Sequence, residues 1–410
     1  MRKWLSPSAV RASLAIYAGC VDVFLLNVRH QDVRRQDFSW HGKSRTTGDQ
    51  PVIRRARVGE GNRLGARELA SGNLETMIAG DPGPDWLALP SWRAPRWYLP
   101  KEPAEMARAS LFLYHPVTRR SRLGWDLTRF LASRGVFGLR RGLPLQPREL
   151  WEASGHLVPD GGGLAVPRGN HPSRYVSLVL GDKGRPLAFV KVARDSVGAE
   201  ALVKEGVAIE KWGSLLSPPL YAPRVLEHRA WALTFEPIKW RARRTPWRMD
   251  QDVAYSLGQF FSETTSRRGP PLGVAHGDCA PWNLLRTRFG WTLIDWKNIE
   301  EEGLPSFDLF HFFVRSLGEL RRPSKRTIFQ GLQLRVPVGN AIAVYAAEPE
   351  LDPHEAEPMF WTYLRRSSTR MKPGVPPRAL RIRHKLAQME SSPHDRELGT
   401  VPHLHRWRTR

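Results

Sequence analysis

Cysteine is nearly missing from this chain: 410 residues carry only Cys20 and Cys279. No disulfide framework can be built from them, and a reducing compartment, the cytoplasm, is expected. Long apolar runs are missing as well. A membrane span needs about 20 continuous apolar residues, and the best candidate, residues 9–26, is broken by Arg11 and Asp22. Zinc spacing is not found either, since His384, His394, His403 and His405 have no paired ligands at suitable intervals. Acidic residues are in deficit, with 40 Asp+Glu against 63 Lys+Arg and a formal charge of +23. That balance favours anionic partners such as nucleotides, nucleic acid or an acidic surface. The basic residues are mostly Arg and lie in every segment instead of along one stripe, so no dedicated nucleic-acid binding is expected.

What is present is concentrated in residues 274–298, VAHGDCAPWNLLRTRFGWTLIDWKN. Asp278, Asn283 and Asp295 are spaced along this stretch, and Trp291 to Ile294 is a short apolar run that places Asp295 just past a strand end. A carboxylate that orients an attacking hydroxyl, with a carboxylate and an amide oxygen to hold Mg²⁺, suits phosphoryl transfer, where catalysis is mostly positioning and charge neutralisation. Cys279 follows the first carboxylate directly but has no activating base beside it in sequence, so it reads as a passive small residue.

His276-Gly277-Asp278, four intervening residues, Asn283 and then the apolar strand ending in Ile294-Asp295-Trp296 resembles the signature of the aminoglycoside and choline kinase group of phosphotransferases. Pro281 and Trp282, and the later PSFDL at 305–309, look like bacterial members of that group. The resemblance implies a protein-kinase-like α+β fold, with a small antiparallel-sheet lobe and a larger helical lobe. It implies Asp278 as catalytic base, Asn283 and Asp295 as magnesium ligands, His276 as a brace for the loop, and Asp308 as a tie for the loop backbone. An ordinary helix N-terminal residue is an equal reading of Asp308, because Leu309, Phe310, Phe312 and Phe313 follow it. Lys297 stands where relatives often carry an acidic residue.

Taken in order, residues 1–83 read as a basic, poorly ordered arm, and 84–154 as a Trp-rich accessory module with a strand at 109–114 and a helix at 123–134. Residues 155–237 read as a nucleotide-binding small lobe. Its strand candidates are 163–166, 175–180 and 187–192, with a helix from Val197 to Trp212. Lys191 sits in the apolar strand FVKVA, where an unpaired cation is costly to bury, so something anionic should meet it. The resemblance supplies nucleotide phosphates and a helix carboxylate: Glu205 fits that pattern best, with Glu200 as the fallback. A phosphate-covering loop is expected at 167–174. It has one glycine, Gly169, so Arg168, Asn170 and Ser173 are its candidate phosphate donors, with an ordinary loop an equal reading. Glu236 and Pro237 look like the hinge against which an adenine would bond. Residues 238–371 form the expected helical catalytic and acceptor lobe, and 372–410 a basic mobile tail.

The expected function is ATP-dependent, Mg²⁺-assisted phosphorylation of a hydroxyl on a small molecule: a sugar, an amino alcohol or a glycan precursor. The alternative is a non-catalytic nucleotide-binding scaffold of the same fold, docking an acidic partner through its basic extension. The thin phosphate loop and the large positive charge favour the scaffold. The full set of chemical residues opposes it.

Overall fold

The computed structural model describes residues 86–89, 97–100, 104–132, 139–140, 153–159, 162–167, 173–268, 272–335, 337–369 and 386. The expected arm at 1–83, the tail at 372–410 apart from Leu386, and the loop residues Arg168 and Asn170 lie outside them.

The fold has the two lobes expected of a protein-kinase-like chain. The small lobe is built on strands β1 (Trp86–Leu89), β2 (Trp97–Pro100), β3 (Leu139–Arg140), β4 (Gly163–Pro167), β5 (Arg174–Leu180) and β6 (Pro186–Ala193). Two more, β8 (Val225–Arg229) and β9 (Ala232–Phe235), complete an eight-stranded sheet of order β3-β1-β2-β4-β5-β6-β9-β8. Every neighbouring pair in it is antiparallel. Alternation decides what each face carries. Val179, Ala188, Val190 and Val192 enter one buried cluster, while Leu178 and Leu180 enter another. Phe189 packs against that second cluster, and Lys191, two residues on, shares its face.

Residues 84–154 join this sheet. Tyr98 on β2 pairs with Val166 on β4, so the sheet runs across the boundary expected at 154. The segment expected as a strand at 109–114 is instead the end of helix α1 (Ala104–Ser110) and a short 3-10 turn, Leu111–Leu113. Its apolar residues serve a helical face: Met106, Ala107 and Leu111 are buried together, and the Ser110 hydroxyl donates to the Met106 carbonyl one turn back. Helix α2 (Arg119–Ala132) adds Trp125 and Ala132 to the same cluster, which closes over Ala165, Leu178 and Leu180 of the sheet.

Helix α3 (Ser196–Trp212) starts where the Asp195 carboxylate caps the Gly198 N–H at 2.7 Å. It approaches so closely that a side chain at Gly198 would strike the Ser173 carbonyl at 1.9 Å. Leu202, Glu205, Ile209 and Trp212 recur at helical spacing on its buried face, and one of them is a carboxylate.

The large lobe carries α4 (Gln251–Arg268), α5 (Phe307–Arg315), α6 (Lys325–Leu332), α7 (Val338–Ala347) and α8 (Ala356–Thr369). These helices surround two small sheets. One pairs β10 (Gly273–Ala275) with β13 (Glu300–Gly303), and the other has the order β11 (Leu284–Arg286), β12 (Trp291–Leu293), β7 (Leu220–Tyr221). Phe307, Phe310, Phe360 and Tyr363 pack edge-on and tilted in the core, which holds α5 rigidly beside the β10 loop. No described helix is long and apolar enough to cross a membrane.

Because Leu111 and Trp125 seal the sheet face, removing residues 1–150 is expected to give an unstable or insoluble chain. Trp125→Ala alone should cost about 3–5 kcal/mol, read as a fall in the urea midpoint. A chain beginning at Trp151 that unfolds at the full-length midpoint would contradict this.

Candidate active site

The loop after β10 carries the site. Gly277 has φ +79, and a Cβ there would meet the Asn298 carbonyl at 2.0 Å, so only glycine fits the turn. The Asp308 carboxylate, at the start of α5, accepts both loop N–H groups: His276 at 2.6 Å and Gly277 at 2.9 Å. Burial raises Asp308 and the two N–H donors lower it, with a net value pushed up to about 7. The fully buried His276 ring stands edge-on to Trp296 at 5.1 Å, and its Nδ1 lies 3.4 Å from the Asp278 N–H. Burial depresses its pKa to about 4, so it is a neutral brace.

Asp278 projects from this loop. Its Oδ1 faces His311 Nε2 at 3.1 Å, and its Oδ2 accepts from Asn283 Nδ2 at 3.2 Å. Burial works to raise the carboxyl, but the His311 hydrogen bond and the charges of His311 and Arg315 hold it below the ordinary carboxylate range. The group is therefore ionised at neutral pH. Asn283 Nδ2 also donates to the Asp278 backbone carbonyl at 2.8 Å, while the Asn283 backbone carbonyl accepts from the Ile294 N–H at 2.9 Å. The hairpin of β11 and β12 thus ties Asn283 to the strand end that delivers Asp295.

Asp295 adopts a left-handed backbone, φ 70 and ψ 58, which is uncommon for a residue other than glycine and turns its side chain back toward the small lobe. Its Oδ1 meets Lys191 Nζ at 3.2 Å and its Oδ2 meets Lys297 Nζ at 2.9 Å. Lys191 also binds Glu205 Oε1 at 2.7 Å, and Arg174 Nη1 stands 3.8 Å from Glu205 and 4.0 Å from Asp295. Burial opposes each charge here. The partners prevail, so Lys191 is held above the usual ammonium range and Asp295 far below the carboxylate one.

The structure therefore brings together Asp278, Asn283, Asp295, Lys191, Glu205, His276 and Asp308. Glu205, and not Glu200, is the carboxylate that meets Lys191. Ser173 lies at the start of β5, where its carbonyl accepts from the Arg194 N–H at 2.9 Å beside the α3 N-terminus. Glu236 follows β9; its N–H bonds the Arg224 carbonyl at 3.0 Å, and its carboxylate lies near the Arg224 guanidinium at the surface. Cys279 is fully buried, and burial raises its thiol pKa well above the ordinary range, which leaves it inert. Sequence reasoning missed Arg174, His311, Arg315 and Tyr363. The one signal for His311 and Arg315 was their place on the helix opened by Asp308.

The donor set suits a hard cation. Asn283 commits its amide nitrogen to Asp278, which leaves its oxygen as the coordinating end, and Asp295 supplies a carboxylate already facing cations. Mg²⁺ takes one or two carboxylates of this kind, with phosphates and waters completing its shell.

No family model and no curated protein matches the chain. Solved structures of similar outline include amicoumacin kinase hAmiN with AMP-PNP, Ca²⁺ and Ami, at 12% identity and TM-score 0.37, covering 60% of this chain and 94% of that one. Macrolide 2'-phosphotransferase MphH from Brachybacterium faecium matches at 13% identity and TM-score 0.35, over 58% of this chain and 96% of that one. APH(2")-IIa in its ternary complex with streptomycin and ATP matches at 8% identity and TM-score 0.35, over 55% and 90%. These likenesses are distant, and the chemistry of the site rests on the contacts described above.

Asp308 gives a pH signature. Its folded pKa of about 7 lies above the 3.8 of a free carboxyl, so its contribution to stability is complete below pH 4 and is lost as pH rises through 7. Comparing the wild type with Asp308→Asn between pH 4 and 8 should reveal this slope, a few kcal/mol at about 1.4 per unit. Parallel stability curves for the two proteins would refute it.

Proposed function

We propose that this protein transfers the γ-phosphoryl group of ATP to a hydroxyl of a small molecule, with Mg²⁺ as the metal. The observation that carries the reading is the chain of contacts from buried Glu205 through Lys191 to Asp295. It joins a lysine from the sheet to a carboxylate from the hairpin, in the same loop region as an ionised Asp278.

In this reading Lys191 and Arg174 bind the nucleotide phosphates, and Glu205 holds Lys191 in place for them. Asn283 and Asp295 would hold the magnesium ion, which when bound neutralises phosphate charge. Asp278 orients the acceptor hydroxyl and takes its proton as the hydroxyl oxygen bonds to the γ-phosphorus and ADP leaves. Arg315 lies near enough to depress the Asp278 carboxyl and covers the Trp282 ring at 4.7 Å. A cation beside the base, in a chain of charge +23, disfavours a polycationic acceptor and favours a neutral or anionic one: a sugar, an amino alcohol in its neutral part, or a glycan precursor. An acidic partner for the basic extension fits the same charge.

A second reading, a non-catalytic scaffold, is favoured by one observation. A nucleotide reaching from Lys191 to the hinge after Phe235 would pass Phe189, and Phe112 from the extension stands there. It lies 6.2 Å from Phe189 and stacks on Trp240 at 5.7 Å, while His115 meets Trp240 edge-on at 4.6 Å. Burial, with the Arg243 and Arg122 charges, depresses His115 to about 4, so this neutral ring belongs to the apolar plug.

Two titrations separate the readings. Asp278→Asn should lower turnover by about 10²- to 10⁴-fold while Mg·ATP still binds. Asp295→Asn should weaken magnesium and nucleotide binding together, with partial recovery at high Mg²⁺. Equal loss of nucleotide binding in both variants would refute this division of labour. Under the scaffold reading, calorimetry detects Mg·ATP binding that depends on Asp295, tightened in Phe112→Ala, but the wild type phosphorylates no acceptor. Acceptor phosphorylation by the wild type that Asp278→Asn abolishes would remove that reading.

A further inference from the structure

Asp278 is backed by a second layer of polar groups. His311, on α5, directs Nε2 to Asp278 Oδ1 at 3.1 Å, and Tyr363, on α8, brings its hydroxyl to 3.4 Å from His311 Nδ1. Tyr363 is fully buried and His311 nearly so. An ionised carboxylate can only accept, so the imidazole proton facing it sits on Nε2. Nδ1 on the other side of the ring faces the Tyr363 phenol oxygen. Packing fixes the ring as well. Phe307 stacks on His311 at 6.0 Å with a 19° tilt, and Tyr363 meets Phe307 edge-on at 5.1 Å. The other Asp278 oxygen is held by Asn283, so the carboxylate has one defined rotamer.

We propose that His311, held from its far side by Tyr363, is a positioning residue for Asp278, fixing the direction in which that carboxylate meets the acceptor hydroxyl. This rests on the phosphotransferase reading. The bland alternative is a buried histidine that satisfies its hydrogen bonds and stabilises the core. The two differ in what changes on substitution. A packing role lowers stability and leaves per-site kinetics alone. A positioning role lowers kcat with little effect on nucleotide KM, and a side chain that keeps an N–H donor restores part of the loss.

The test has two independent arms. In the first, ¹⁵N-histidine NMR of the full chain should show a proton on His311 Nε2. Tyr363→Phe should shift the Nδ1 resonance, and Asp278→Asn the Nε2 resonance. In the second, hydrolysis of Mg·ATP, with water as acceptor, is measured for His311→Leu, His311→Gln and Tyr363→Phe. His311→Leu should lower kcat by about tenfold or more with KM for Mg·ATP within about twofold, and His311→Gln should recover part of it. If His311→Leu does not fold, the glutamine and phenylalanine variants carry the kinetic arm. An Nδ1–H tautomer in the wild type, or unchanged kcat in folded His311 variants of an active enzyme, overturns the proposal. The expected Nε2 proton and the Nδ1 response to Tyr363→Phe, in a wild type that binds no Mg·ATP, support the coupling and remove the phosphotransferase reading alone.

Discussion

A carboxylate with no solvent exposure sits on the apolar face of α3, and the arrangement of both lobes answers to it. Leaving Glu205 unpaired would cost several kcal/mol, so Lys191 must reach it from β6, and the sheet and α3 are locked in one relation. The Lys191 ammonium has N–H donors to spare and reaches Asp295 as well, which fixes where the β12 strand end stands relative to the sheet. Arg174 and Lys297 complete the group, giving three cations for two carboxylates. The surplus is positive. A polyanion is what such a group is short of, which is why phosphate binding fits it better than a purely structural ion-pair network does.

Much of this was legible because the chemistry is local in sequence. Asp278 and Asn283 lie on one turn, Asp295 ends the next strand, and the glycine that permits the turn stands beside the base. Lys191 was legible for a different reason, because a cation in an apolar strand demands a partner, and Glu205 only through the resemblance, by its distance from Lys191. Tyr363 could not be found this way. It reaches His311 across 52 residues, through the packing of α8 on α5, and nothing in its own neighbourhood marks it. Arg174 was hidden by abundance, since one arginine in a chain so rich in them carries no signal until its neighbours are known.

The segment 109–114 failed as a strand for a related reason. A short apolar run fits either a buried strand or a buried helix, and tertiary packing decides between them. Here the deciding partner is the sheet face formed by Ala165, Leu178 and Leu180. Without the extension, β4 would present an open edge and that face would be bare, an arrangement prone to mispairing. Strand β2 closes the edge, and α1 with α2 closes the face.

The same closure sets the terms for any nucleotide. An adenine ring needs an apolar surface between the Lys191 strand and the hinge, and such a surface is costly to leave in water. Buried Leu111 and half-buried Phe112 cover the surface near Phe189, Leu111 contributing about 1.5–3 kcal/mol by its burial. A base arriving there would have to replace those contacts with its own, so covering the face and binding a nucleotide draw on one apolar patch. If a nucleotide binds as proposed, its affinity is therefore reduced by what displacing these contacts costs, and Lys191 and Arg174 would have to offset that cost through its phosphates.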